Sequence, residues 1–246
     1  MLKAIGRKIS RVGDVIQEPR LMAIRMKGID VGMFESLNKR WLANATIKTI
    51  IDVGANTGQF ARAIHEVLPE AYIYSFEPLS DVFKELQAAM RNVKKFQAIN
   101  TALAETNGEQ VFYRSAWSPS SSLLPMNQLH KENFPFTAEE SKETVAVRRL
   151  DDYITELSIE DEILVKLDVQ GYEDKVIDGG KCLLQRTKVV IVETSMVPLY
   201  EGQPLFHDIF GILDDQGFKY AGALSQSFSA IDGSVLYADS VFVRTR

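Results

Sequence analysis

Thr49-Ile-Ile-Asp-Val-Gly-Ala-Asn-Thr-Gly58, followed after a helix-length gap by Tyr74-Ser-Phe-Glu-Pro78, reads as a strand, a glycine turn, a helix and a second strand ending in an acid. The β-branched apolar run reaches Asp52, and Gly54 and Gly58 then set a tight turn at the strand's carboxyl end, where backbone can approach a ligand closely. Glu77 lies 19 residues beyond Gly58, placed to accept hydrogen bonds from ribose hydroxyls. The pattern points to a nucleoside-bearing cofactor.

Outward from this unit, strand and helix signals alternate. Strands are predicted near residues 49–53, 72–76, 96–103, 162–168, 189–194, 218–224 and 239–244, with helices between most of them. Ile163-Leu-Val-Lys-Leu167 and Val189-Val-Ile-Val192 are nearly continuous apolar runs, as in strands covered on both faces. The expected fold class is α/β, a Rossmann-like, doubly wound, mostly parallel seven-stranded sheet. Residues 1–45 form an expected N-terminal helical extension, with Ile5, Ile9, Val12 and Ile16, and later Phe34, Leu37, Trp41 and Leu42, at helical spacing. Residues 46–246 form the main domain. Within it, residues 105–150 break the alternation: Gln110-Val-Phe-Tyr-Arg114 and Thr144-Val-Ala-Val-Arg148 suggest an extra strand pair around a serine-rich stretch. That segment is expected to be an inserted lid at the sheet's carboxyl edge.

The 246 residues, 46% of them hydrophobic, suffice for one large domain. The single Cys182 excludes a disulfide within the chain and any four-cysteine zinc site; it reads as a small packing residue in a reducing compartment. No apolar run reaches the length of a membrane span, so a cytoplasmic location is expected. Residues 1–27 carry seven Lys or Arg against Asp14 and Glu18, a net +5 inside a chain of −5. A solvated helical face explains this best, with weak peripheral membrane or partner contact as the alternative; nucleic acid is not an expected partner.

Three motifs compete for the glycine loop. A phosphate loop requires Lys followed by Ser or Thr after its last glycine, and neither follows Gly58. A dinucleotide fingerprint requires a second glycine where this chain has Asn56, whose side chain would crowd a pyrophosphate. The remaining pattern, Asp52-x-Gly54-x-Asn56-x-Gly58, suits a ligand with an amino-acid end. S-adenosylmethionine is such a ligand: Asp52 would meet its ammonium and Glu77 its ribose, with Asn100 and Ala102 near its adenine. Taken singly, Asp52 reads as a turn acid and each glycine as a plain turn.

The chain resembles FkbM-type S-adenosylmethionine-dependent methyltransferases. The resemblance runs from about Thr49 to Arg246 through Asp52-Val-Gly-Ala-Asn-Thr-Gly58, Phe76-Glu-Pro78, Asn100-Thr-Ala-Leu103 and Leu150-Asp-Asp152. It continues through Val165-Lys-Leu-Asp-Val-Gln-Gly-Tyr-Glu173, its most specific part, to Glu193 and Gly217-Phe218. Relatives usually have Glu at the position of Gln170. The resemblance implies O-methylation of a hydroxyl on a sugar, natural product or other small molecule.

Methyl transfer to a hydroxyl needs alignment, exclusion of water and a base. Of the histidines, His65 falls in the helix after the glycine loop, whereas His130 in the lid and His207 in Gln203-Pro-Leu-Phe-His-Asp208 are candidates. Asp168 and Glu193 end central strands and should face the crevice, Asp168 orienting the hydroxyl or acting as base and also touching the cofactor. Two such carboxylates also suit a magnesium ion, but no metal is assigned. Glu173 is a helix-start acid or a functional one. Ser120, Ser121 and Ser122 are donors or a polar turn; Trp117, Phe134 and Phe136 suit a stacked sugar or an apolar acceptor. The competing functions are a non-catalytic scaffold that keeps the fold, and a nicotinamide dehydrogenase supported by fold alone.

Overall fold

A computed structural model describes residues 19–244 of the chain. The helical expectation on Ile5, Ile9, Val12 and Ile16, and the basic residues before Pro19, lie outside the described residues. Three short helices come first: α1 (Pro19–Met26), α2 (Val31–Leu37) and α3 (Arg40–Ala43). Asp30 starts α2 by accepting the Met33 N–H on its side chain at 2.7 Å.

β1 (Thr49–Val53) leads through the glycine turn into α4 (Gln59–Val67), and β2 (Tyr72–Phe76) is followed by α5 (Ser80–Met90) and β3 (Phe96–Ile99). The strand expected over 96–103 is split. Asn100 donates from Nδ2 to the carbonyls of Glu77 and Pro78, both at 2.9 Å, and the chain leaves the sheet there. Its continuation, β4 (Ala102–Leu103), joins a second sheet with β5 (Gly108–Ser115) and, after α6 (Gln128–Asn133), β6 (Glu140–Arg148). The order is β4-β6-β5, with β5 and β6 antiparallel.

The chain then returns as β7 (Ile163–Leu167), α7 (Glu173–Gly179), α8 (Lys181–Gln185), β8 (Thr187–Ser195), α9 (Phe206–Asp215), β9 (Phe218–Phe228) and β10 (Val235–Arg244). The main sheet has seven strands in the order β3-β2-β1-β7-β8-β10-β9. The first five are mutually parallel, and β10 runs antiparallel to both β8 and β9. This is the Rossmann-like, doubly wound architecture, with its switch point between β1 and β7.

Every residue of β1 and β7 is buried, as their apolar runs require. On one face, Ile50, Leu164 and Ile191 pack against Ala61 and Ile64 of α4 and Leu86 of α5, together with Leu21, Ile24, Phe34, Leu37 and Leu42. The N-terminal helices are thus part of the sheet's own core layer, although Trp41 is exposed. On the other face, Val165 and Val190 pack against Ile177, Leu183 and Ile209. Cys182 differs from expectation: α8 turns it outward and it is exposed, while Leu183 and Leu184 beside it take the core positions. Because Phe34 is fully buried between the N-terminal helices and the sheet, Phe34→Ala is expected to cost about 3–5 kcal/mol. Urea denaturation measures that loss, and a near-neutral result would contradict the shared core.

Candidate active site

A cleft of about 510 Å³ lies along the carboxyl edge of the parallel strands, crossing from β2 over β1 and β7 to β8, β10 and β9. At its β2 end, Leu79, Ala102, Leu103, Phe112 and Leu123 make an apolar wall next to Glu77. Glu77 is buried, and each of its oxygens accepts one backbone N–H, from Asn56 at 3.0 Å and Leu79 at 2.9 Å. Burial nevertheless pushes its carboxyl up to about 7. Each oxygen keeps acceptor capacity for a further hydroxyl.

The glycine turn works mainly through packing. Gly54, at φ +76°, lines the cleft, and a Cβ there would lie 1.9 Å from the Asp168 carbonyl oxygen. Only glycine lets the ends of β1 and β7 meet so closely. Gly58 lies off the cleft at the start of α4, where a Cβ would come within 2.9 Å of Leu86. Asn56 takes φ +47°, a conformation asparagine tolerates, and its Nδ2 donates to Ser118 Oγ at 3.0 Å. That bond ties the 105–150 segment to the glycine turn.

Asp52 differs from expectation. It is fully buried and is absent from the cleft wall; its Oδ2 accepts from Ser75 at 2.9 Å, while Oδ1 has no hydrogen-bond partner. Asp52 ends the alternating face that also carries Ile50, so its side chain sits below the turn instead of inside the cleft. Burial raises its pKa, opposed by Lys166 and Ser75. Asn100 also lies outside the cleft and acts on the backbone behind Glu77, whereas Ala102 lines it.

Lys166 is the residue that sequence reasoning passed over. It stands opposite Asp52 in register. Its Nζ reaches Asp168 Oδ2 at 3.0 Å, with Gly54 O at 3.5 Å and Asp52 Oδ1 at 3.9 Å. Burial disfavours its ammonium, but Asp168 and Asp52 outweigh that and raise its pKa. A lone cation in an apolar central strand, two residues before Asp168 and so on the same face, was the available signal.

Asp168 and Glu193 both line the cleft, and Gln170 joins them. Its Nε2 donates to Asp168 Oδ1 at 2.7 Å and Glu193 Oε1 at 3.1 Å. The two acids draw the amide nitrogen, and the buried Tyr200 hydroxyl lies 2.8 Å from Gln170 Oε1 and 3.0 Å from the Ser120 carbonyl oxygen. Gln170 therefore supplies donors that an ionised Glu at this position lacks. It holds φ +56°, outside the range most side chains prefer. Glu193 has its pKa raised well above the ordinary carboxylate range by burial, then by Asp168, Glu173 and Asp239. Beyond it the wall comprises Ser225, Gln226, Ser227, Tyr237 and Asp239, with Met33 and Ser36 of α2. Asp239 pairs in register with Glu193 and accepts from Ser225. Burial pushes Tyr237 up to about 12.

Neither histidine candidate reaches the cleft. His130 is buried beside Phe134 and Tyr200, with Nε2 3.0 Å from Thr137 Oγ1, and burial lowers its pKa to about 4. The His207 side chain is 76% exposed near the start of α9, beside Asp208. Apolar packing thus claims one, solvent the other. Of the serines, Ser121 lines the cleft, while Ser122 donates to the Gln170 carbonyl at 2.8 Å and anchors the segment. Among the described residues no group of three or more His, Cys, Asp or Glu is arranged to hold a metal ion.

The donor set fits S-adenosylmethionine: an apolar wall for adenine, a buried carboxylate for ribose, and the Lys166–Asp168 pair beside the glycine turn for a zwitterionic end. The volume suits a ligand of that size.

Comparison with known proteins gives the family. The family model described as the methyltransferase FkbM domain matches residues 52–220. The chain is 31% identical over 172 residues to the 2-O-methyltransferase NoeI of Sinorhizobium fredii, covering 67% of this chain and 70% of NoeI. It is 27% identical over 173 residues to the AMB antimetabolite synthetase AmbE of Pseudomonas aeruginosa, covering 58% of this chain and 8% of AmbE. Among solved structures, Aeropyrum pernix fibrillarin with natively bound S-adenosyl-L-methionine superposes with a TM-score of 0.45 at 11% identity, covering 82% of this chain and 68% of that one.

Glu173 is buried at the turn after β7, where its Oε1 accepts the N–H groups of Val169 at 3.0 Å and Gly171 at 3.2 Å. Burial raises its pKa from 4.5 to about 7, so between those values the native protein keeps a proton that the unfolded chain has lost. Its contribution to stability therefore falls as pH rises through that window, by up to about 1.4 kcal/mol per pH unit. Glu173→Gln, which keeps the acceptor oxygen, is expected to flatten this part of the stability profile in urea titrations across the window. An unchanged slope would contradict the assignment.

Proposed function

The chain belongs to the FkbM methyltransferase family and uses S-adenosylmethionine, and from that premise we propose that it methylates a hydroxyl oxygen of a saccharide or similarly polyhydroxylated small molecule. When bound, the cofactor supplies an electrophilic methyl group on a sulfonium whose departure leaves a neutral thioether. In this reading Glu77 holds the ribose hydroxyls, and the apolar wall of Leu79, Ala102 and Phe112 receives the adenine.

The observation that carries the acceptor side is the position of Glu193. It lines the cleft beside Asp168, burial and the neighbouring acids raise its proton affinity above that of an ordinary carboxylate, and the Gln170 bond occupies only Oε1. Glu193 takes the acceptor hydroxyl's proton as the oxygen forms its bond to carbon. Gln170 and Tyr200 keep the base in place, and Asp168 on the other side of Gln170 serves the cofactor. The wall next to Glu193, with Ser225, Gln226, Ser227, Tyr237 and Asp239, offers hydroxyl, amide and carboxylate partners of the kind a polyol needs. Trp117, the neighbour of the cleft-lining Ser118, is exposed and meets the exposed Phe136 edge to face at 6.1 Å, a stacking surface for a sugar ring. The 105–150 segment acts as the lid that excludes water. The 2-O-methyltransferase NoeI lends the same direction to the acceptor chemistry. A non-catalytic scaffold gains no support from any of these contacts. No helix among the described residues is long and apolar enough to cross a membrane.

Incubation with S-adenosylmethionine and a panel of hexose and deoxyhexose glycosides is expected to give products heavier by one methyl group in mass spectrometry. Glu193→Gln should lower kcat by about 100-fold or more while leaving affinity for S-adenosylhomocysteine little changed. Transfer confined to amine or carboxylate acceptors would overturn the hydroxyl assignment, and full activity in Glu193→Gln would remove Glu193 as the base.

A further inference from the structure

We propose that the Lys166–Asp168 ion pair docks the α-amino-acid end of S-adenosylmethionine, Lys166 binding its carboxylate and Asp168 its ammonium. The inference rests on the cofactor half of the reading above and is independent of the acceptor.

The cleft is strongly acidic. Glu77, Asp168, Glu193 and Asp239 line it, and Asp52 lies beneath. A ligand carboxylate entering such a site meets repulsion unless a cation or free N–H groups receive it. Backbone N–H groups at a turn into a helix are the usual source. Here those of the glycine turn are already engaged: Gly54 and Ala55 donate to Phe76 O at 3.1 and 3.0 Å, and Asn56 to Glu77 Oε2 at 3.0 Å. Thr57 donates to the Asn56 side chain at 2.9 Å and Gly58 to Ala55 O at 2.9 Å. Among the described residues lining the cleft, Lys166 is the sole Lys, Arg or His.

Its surroundings fit that task. An ammonium has three donors, and the bond to Asp168 at 3.0 Å is the one close contact; Gly54 O and Asp52 Oδ1 are at 3.5 and 3.9 Å. The Phe60 ring centroid, 5.7 Å from Nζ, borders the cation on another side, and Phe60 also lines the cleft. An α-amino acid carries adjacent positive and negative groups, and an adjacent Asp and Lys present the complementary couple. Binding then sets four charges in alternation, and no member of the set is left buried without an opposite neighbour. Gly54 O supplies a second acceptor for the ligand ammonium on the same side.

Calorimetry with two ligands decides the matter: S-adenosylhomocysteine, and its decarboxylated counterpart, which keeps the amine and lacks only the carboxylate. The wild type is expected to prefer the first by roughly 10- to 100-fold. Lys166→Met should abolish this preference, and Lys166→Arg should retain part of it. Equal wild-type affinity for the two ligands overturns the proposal whether or not either variant folds. So does a folded Lys166→Met that weakens both ligands alike and keeps the wild-type preference, since Lys166 would then be only a structural counter-ion. The readout is an affinity ratio, so failure to methylate glycosides would count against the acceptor reading without touching this one.

Discussion

A single buried cation among acids organises the carboxyl edge of the sheet. Lys166 stands in register with Asp52 and bonds Asp168; Gln170 bonds Asp168 and Glu193; the Tyr200 hydroxyl meets Gln170 Oε1. Remove the Lys166 charge and Asp52 and Asp168 face one another across adjacent strands with only the Ser75 and Gln170 bonds to offset them. Leaving a buried charge uncompensated costs several kcal/mol, so the fully buried Asp52 and the cleft floor above it depend on the Lys166 charge.

That floor is held by constraints from several parts of the chain. Gly54 lets the β1 and β7 ends touch, with no space for a Cβ beside the Asp168 carbonyl. Glu173 holds the turn from Val169 to Gly171 through two backbone bonds, and Ser122 reaches the same turn from the 105–150 segment. The positive φ angles of Asn56 and Gln170 concentrate local strain at these contacts. Local strain thus gathers around the cleft, while the two apolar layers stabilise the fold.

The division of the carboxylates follows from the same layout. Glu77 is buried against an apolar wall with backbone donors on both oxygens, which suits neutral hydroxyl partners. Asp168 has the Lys166 ammonium at 3.0 Å, Glu193 is buried among further acids, and one glutamine amide bonds both.

The sequence by itself determined the elements with strong local signals: the β-branched runs, the glycine turn, Glu77 at the end of β2 and Asp168 and Glu193 at the ends of β7 and β8. Strand ends are legible because period-two burial and turn residues are local. It misplaced Asp52, whose side in the pleat is a matter of which face packs on α4, and both histidines, whose fate depends on Phe134, Thr137 and Tyr200 for one and on solvent for the other. Tertiary structure alone brought in Asp239 and Tyr237, because an antiparallel β10 turns its early residues toward the carboxyl ends of its parallel neighbours, and with them Ser225 of β9, which bonds Asp239. It also decided that α2 borders the cleft and that Lys166 is its lone cation among the described lining residues. Contacts between residues more than a hundred positions apart, such as Lys166 with Asp52, are set by strand order and register, which no local stretch of chain encodes.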